Sequence, residues 1–255
     1  MKSIFKLSWV SLVYEKLVFL VVLLAVCLPF VMAELTHYQV DNAILEPARA
    51  QVAWQFAWLA SFLWLTYEAA KLGSGHVMRG MGVYFKSKGV HQGEQLCALW
   101  LAPFIICVVL AMCAFAVSLL GAIPSDVQEA RHWKLLGVQH LAFIIVVVSP
   151  LLMLAVSLGS RFGLTVGYVF TAALSFVGFY GVSIIETIVR FNDSFSLDLL
   201  YVILPHYYLG DLTHRFIHKQ GALSLEEFFV VFEYLSGWAI VVSMVATVLF
   251  NYKKR

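Results

Sequence analysis

Six long apolar runs separated by polar segments set the outline of the chain. They cover roughly 17–33, 52–70, 96–121, 136–158, 164–185 and 228–250. Each approaches the ~20 residues an α-helix needs to cross a hydrocarbon core. The pattern therefore predicts an all-α polytopic membrane protein, a single transmembrane domain over residues 1–255 with six crossings. Pro29 interrupts the first run near its outer end, where freed backbone groups find headgroup water or a neighbouring helix. Residues 1–16 are patterned differently. Ile4, Phe5, Trp9, Leu12 and Val13 recur at helical spacing while Lys2, Lys6 and Glu15 take other positions, as in an amphipathic helix lying in the inner interface. A plain extension of the first helix is the alternative. Between the fifth and sixth runs, 186–227 is too long for a turn, and its apolar stretches 199–204 and 207–209 predict short helices near the surface.

Composition agrees with this outline and adds an orientation. Of the 255 residues, 62% are hydrophobic and 13% charged, against about a quarter charged in soluble domains. The net charge of +2 is spread out and gives no footprint for nucleic acid. With the N-terminus inside, Lys2, Lys6, Lys16, Lys71, Arg79, Lys86, Lys88, Arg161, Lys253, Lys254 and Arg255 face the cytoplasm, 11 of the 17 basic residues. Arg49, Arg131, Lys134, Arg190, Arg215 and Lys219 fall outside. This positive-inside bias places both termini in the cytoplasm, with 71–95 an inner loop and 186–227 an outer segment. The aromatic residues Trp54, Trp58, Trp64, Tyr67, Trp100 and Trp238 fall mostly toward the span ends, as interfacial belts do. The start Met1-Lys2 with the run from Leu17 resembles a signal peptide, but Cys27-Leu28-Pro29 is no small-residue cleavage site, and the segment reads as a retained helix.

Little catalytic chemistry is in view. No Walker-type glycine-lysine loop occurs, so the chain has no phosphate cradle of its own. Cys27, Cys97, Cys107 and Cys113 all lie in apolar runs without disulfide or zinc spacing. The eight histidines form no facing pair for a bis-histidine haem. His214 and His218 share a helical face but have no acidic partner, so they read as a surface pair rather than a metal site. Ser61, Ser149 and Ser175 lie within spans, where a hydroxyl ordinarily bonds its own backbone. Glu68, His140, Glu186 and Glu233, with neutral Gln55 and Gln139, are the polar groups beside the spans, and the four ionisable ones with Gln55 are the candidates for a pathway or gate. Their places near span ends suit snorkelling.

The inner loop is the most informative stretch. From Glu68 to Gln95 it reads EAAKLGSGHVMRGMGVYFKSKGVHQGEQ, and it resembles the cytoplasmic loop of ABC-2 type permeases, the membrane subunits of a class of ATP-binding cassette transporters. Glu68 matches the acidic residue that closes the second span, and 80–85 the glycine-led apolar stretch after it. Lys86-Ser87-Lys88-Gly89-Val90-His91-Gln92 matches the short element leading into the third span. Gly89 replaces that element's proline, Gln92 its arginine, and Gly93-Glu94 the Gly-Lys that often follows. Leu204-Pro205-His206-Tyr207-Tyr208-Leu209-Gly210-Asp211-Leu212 is similar to the family's outer segment, and Glu233-Tyr234 through Lys253-Lys254-Arg255 to its closing helix and basic tail.

The resemblance implies a type V exporter-like architecture in a bacterial cytoplasmic (inner) membrane. It implies a permease that works with a separate ATP-binding cassette ATPase subunit, which carries the ATP and Mg, and with a second copy of itself or a similar permease. The coupling contacts would fall on Lys86, Ser87, Lys88, His91, Gln92, Glu94 and Gln95. Membrane lipid is the surrounding partner, and the apolar walls suit a lipid-like or amphipathic cargo. The rival class is a membrane scaffold or assembly factor without transport, using 186–227 to hold another protein. A membrane enzyme would need a cluster of ionisable residues at one depth, which the spacing does not provide.

Overall fold

In the computed structural model of the protein, the described residues are 2–35, 42–124, 126–189, 191 and 195–251. The basic end Lys253-Lys254-Arg255, together with His37 and Arg190, lies outside them. Every described element is helical. Helix α1 (Lys2–Tyr14) meets α2 (Leu17–Leu35) at a bend of 65°, turned by Lys16 in the left-handed region at φ 58°. One unbroken helix then runs from Asn42 to Met78 as α3 (Asn42–Leu59), a π turn (Ala60–Leu65) and α4 (Thr66–Met78). After the short α5 (Met81–Ser87) come α6 (Gln92–Leu120) and α7 (Val127–Phe162). Helix α8 (Leu164–Phe176) passes through a second π turn (Val177–Gly181) into α9 (Val182–Val189). The segment before the last helix holds α10 (Phe195–Ile203), a 3₁₀ turn (Tyr207–Gly210) and α11 (Thr213–Ile217). Helix α12 (Leu225–Leu249) closes the described chain.

Four of these helices are long and apolar enough to cross a membrane: α6, α7, the α8–α9 unit and α12. The bent pair α1–α2 makes a fifth if it counts as one span. The stretch 52–70, read from sequence as a separate crossing, is the middle of the Asn42–Met78 helix, which is not among those four. Gln55, Thr66, Glu68 and three indoles dilute its apolar run. Several helices outrun the apolar segments that announced them because polar residues cap them further out. Asp126 accepts from the backbone N–H groups of Gln128 and Glu129 to start α7 nine residues before the apolar run, and Ser224 with Glu227 forms a capping box on α12.

Helix α7 is the hub, packed against α4, α6, α8 and α12. Its apolar window is 67% buried, whereas that of α12 is 11% buried, so α12 leans on α7 and leaves most of its surface to lipid or another chain. Trp54 and Trp58, expected in an interfacial belt, are instead fully buried between α3 and the centre of the bundle.

The hub rests on glycines. A Cβ on Gly73 of α4 would come 2.0 Å from the Val156 carbonyl oxygen of α7, and one on Gly159 of α7 would come 2.2 Å from that of Ala70. A Cβ on Gly167 of α8 would lie 2.5 Å from the Gly159 nitrogen. Three helix backbones therefore touch where small residues alone fit, the packing that substitutes for a hydrophobic drive between helices in lipid. Gly75 and Gly93, by contrast, have nothing within 4 Å of such a carbon. We expect Gly159→Ala to destabilise the protein by about 2 kcal/mol or more, because backbone must move. Gly75→Ala should be neutral or stabilising by up to about 1 kcal/mol. Thermal unfolding of the two variants in detergent measures the contrast.

Candidate functional site

Two polar clusters stand at opposite ends of the bundle. The first centres on His140 of α7, which is 0% exposed. Trp54 stacks on its ring at 4.2 Å and 12°, and Phe216 of α11 packs on it at 6.2 Å. Trp58 Nε1 donates to His140 Nε2 at 2.9 Å. That nitrogen is then the acceptor of a neutral ring, and the ring proton belongs on Nδ1. His140 Nδ1 is buried with no partner, as are Trp54 Nε1 and the Tyr207 hydroxyl. Asp211 Oδ1 lies 3.8 Å from His140 Nε2, beyond hydrogen-bond reach. Its bonds go to the Thr213 backbone N–H at 3.0 Å and to the Thr213 hydroxyl, an Asx turn that starts α11. Burial pushes the Asp211 carboxyl above the usual carboxylate value, while the Thr213 bonds and His214 pull the other way.

The segment before α12 is seated on this end by further contacts. The Gln139 side chain forms two 2.9 Å bonds with Leu223, donating to its carbonyl and accepting from its N–H. Leu212, Thr213 and Phe216 are buried, and Gly210 packs on Phe143 and Leu235. Beside this cluster the two π turns meet through aromatic rings. Phe62 lies edge-on to Phe179 at 5.4 Å, and Trp58 lies 5.0 Å from Phe179. Such π turns often mark functional positions because they carry an extra residue in the helix. Ser61, in one of them, is 3.9 Å from the buried Cys107 sulfur instead of bonding its own backbone, whereas Ser175 bonds the Thr171 carbonyl.

The second cluster is the elbow between the Asn42–Met78 helix and α6. Gly80 and Gly89, both at positive φ (69° and 82°), bracket α5. The Val90 N–H bonds the Phe85 carbonyl and the Gly89 N–H that of Lys86, a Schellman stop. Gln95, fully buried, holds the elbow from behind. Its amide nitrogen donates to the carbonyls of Gly82 and Val90, and its oxygen accepts from His76 Nε2 at 2.8 Å. The Gln92 amide donates to the Phe250 carbonyl, and the Asn251 N–H to the Ser160 hydroxyl, so the elbow is tied to the ends of α12 and α7. His91 and Glu94 form the capping box that starts α6. Lys86, Ser87, Lys88, His91 and Glu94 are exposed on the rim, while Gln92 is half-buried.

The residues expected to line a pathway are spread out. Gln55 and Glu233 are exposed, the latter on a shallow groove with Tyr234 and Trp238. Glu186 is half-buried and accepts from the Tyr208 hydroxyl at 3.2 Å. Glu68 is 4% exposed near the elbow, 3.5 Å from Lys71, which also binds Glu15 of α1. Of these residues His140 alone stands in the first cluster, enclosed by rings and not at a snorkelling position. Trp58 and Asp211 were not singled out for that cluster, and Gln139 only as a neutral group beside a span. The Asp211-x-Thr213 spacing marks the turn, but nothing in the sequence pairs Trp58 with a residue 82 positions away. Among the described residues no group of three or more His, Cys, Asp or Glu is placed to hold a metal, and His214 and His218 are both exposed. No protein-family model, curated protein or solved structure matches the chain.

Trp58→Phe leaves His140 Nε2 without its donor and should cost about 1–3 kcal/mol. Combined with His140→Leu, the loss should fall short of the sum of the singles by about 1 kcal/mol, measured by a double-mutant cycle on thermal unfolding. At the elbow, burial holds the His76 imidazole below its ordinary 6.5, opposed by the Gln95 bond. The unfolded chain therefore takes up a proton before the folded chain does, so this contribution is complete above about pH 6.5 and is lost as pH falls below it. Stability should drop from pH ~7.5 to ~5.5 more steeply in the wild type than in His76→Gln, which keeps a donor toward Gln95.

Proposed function

We propose that the chain is the membrane-spanning permease subunit of an ATP-binding cassette transporter of the ABC-2 type, an exporter driven by a separate ATPase subunit. In this reading residues 52–70 of the Asn42–Met78 helix make the second of six crossings, α1 lies in the inner interface, and both termini face the cytoplasm of a bacterial inner membrane. Two copies, or this chain and a similar permease, enclose the pathway at a two-fold interface.

The elbow is the observation that carries the reading. A seven-residue helix flanked by left-handed glycines presents exposed Lys86, Ser87, Lys88 and His91, while Gln95 fastens it to the helix behind. A partner that seats on α5 and moves would transmit its displacement to the Asn42–Met78 helix and α6 together, since His76, Gly82 and Val90 share one amide. The links from Gln92 to Phe250 and from Asn251 to Ser160 would carry the same push to α12 and α7. An ordinary solvated connector has no use for such bracing.

The test is a variant with Lys86→Glu, Lys88→Glu and His91→Ala. These side chains are exposed, so the bundle should insert as the wild type does, with stability lowered only by the lost His91 cap of α6, by about 1 kcal/mol. Co-purification of an ATP-binding cassette ATPase from native membranes should fall about tenfold or more, and ATP turnover coupled to the membrane subunit with it. If the variant retains both, the transporter reading fails and the scaffold reading replaces it.

A further inference from the structure

A cleft of about 150 Å³ lies between α1 and the α4–α5 elbow. Its wall combines Ser11 and Glu15 of α1 with Glu68, Lys71 and His76 of α4, and with Arg79 just beyond them. Two features set it apart from a packing defect. His76 is 1% exposed, spends Nε2 on Gln95, and leaves a buried Nδ1 lone pair without a partner. The Arg79 guanidinium is exposed at the mouth and has no partner among the described residues. Glu68 is 4% exposed, Lys71 sits between Glu68 and Glu15, and Arg79, like Glu15, is exposed.

We infer that this cleft binds the headgroup of a phospholipid that ends in a primary amine. The inner end offers an unpaired acceptor, the His76 Nδ1 lone pair, beside the negative charge of Glu68, a combination that suits an ammonium carrying N–H donors. The mouth offers Arg79, a planar fork suited to a phosphate diester. A headgroup reaching in amine first places its phosphate at Arg79 and its acyl chains beside Leu7 and Met81, at the rim of an amphipathic helix. A water takes about 30 Å³, so the cleft has room for about five, enough for an ethanolamine group. A trimethylammonium group has no N–H for His76, and a glycerol headgroup brings no charge to Glu68. The inference rests on the membrane-spanning reading and not on any ATPase.

The wild-type protein and Arg79→Gln, Glu68→Gln and elbow variants are placed in nanodiscs of phosphatidylcholine doped with phosphatidylethanolamine or phosphatidylglycerol, and retained lipid is counted by native mass spectrometry. We expect phosphatidylethanolamine to be retained about tenfold over the other two. Arg79→Gln should lower the retention of phosphatidylethanolamine by a similar factor, as the loss of a charge-assisted bond does. Glu68→Gln should abolish the preference for the amine, and the elbow variant should leave it intact, which separates this site from the proposed ATPase contact. Arg79 is exposed, so its variant folds and stays informative even if Glu68→Gln does not. Equal retention of the three lipids, or an unchanged retention of phosphatidylethanolamine in Arg79→Gln, overturns the inference. So does full competition by soluble phosphoethanolamine at the same concentration, which would make the ligand a free phosphomonoester.

Discussion

The contact of bare backbones at Gly73, Gly159 and Gly167 is the constraint on which the rest of the bundle hangs. In a lipid-filled surrounding, apolar side chains gain little by leaving lipid for one another, so helices hold together through close approach and polar contacts. With α4, α7 and α8 locked at these glycines, the two ends of the Asn42–Met78 helix are fixed relative to α7. That fixes the first cluster, where Trp54 and Trp58 of α3 meet His140 of α7, as well as the opposite end, where Glu68, Lys71 and His76 of α4 meet α1 and the elbow.

The two ends use polar groups differently. At the His140 end, side-chain polarity serves to seat a broken segment. The Gln139 amide reads the Leu223 backbone, and Asp211 turns the chain so that Phe216 covers His140. The elbow end puts polarity into bracing, with one buried glutamine amide serving three segments at once. The contrast fits a molecule covered at one end by a separate piece and closed at the other by a turn that behaves as part of two long helices.

Helix positions were legible because apolar length is a direct physical requirement of the bilayer, and caps such as Ser224 with Glu227 follow from local spacing. The elbow was legible only as a polar connector: its two left-handed turns at Gly80 and Gly89 were not read from the sequence, since glycine there fits an ordinary loop as well. The fate of Trp54 and Trp58 was not. An indole at the end of an apolar run looks the same whether it points to headgroups or into a core, and its partner His140 sits on another helix. The cleft under α1 was equally invisible, since Glu15 and Lys71 are 56 residues apart and each alone reads as a solvated charge. Gln95 looked like rim polarity beside His91 and Glu94, but helical rotation turns it inward.

The paired π turns give the bundle a vernier. Each squeezes an additional residue into a helix without breaking it, so the side chains above and below are out of step with an ideal α-helix by about 100°. Were either turn to relax into regular α geometry, one half of its helix would have to rotate against the other by that amount. The rings meeting there, Phe62 and Phe179, would act as the detent. Because the glycine lock sits on the elbow side of both turns, such a rotation would fall on the His140 half alone. Trp58 would be drawn off His140 while the elbow kept its place.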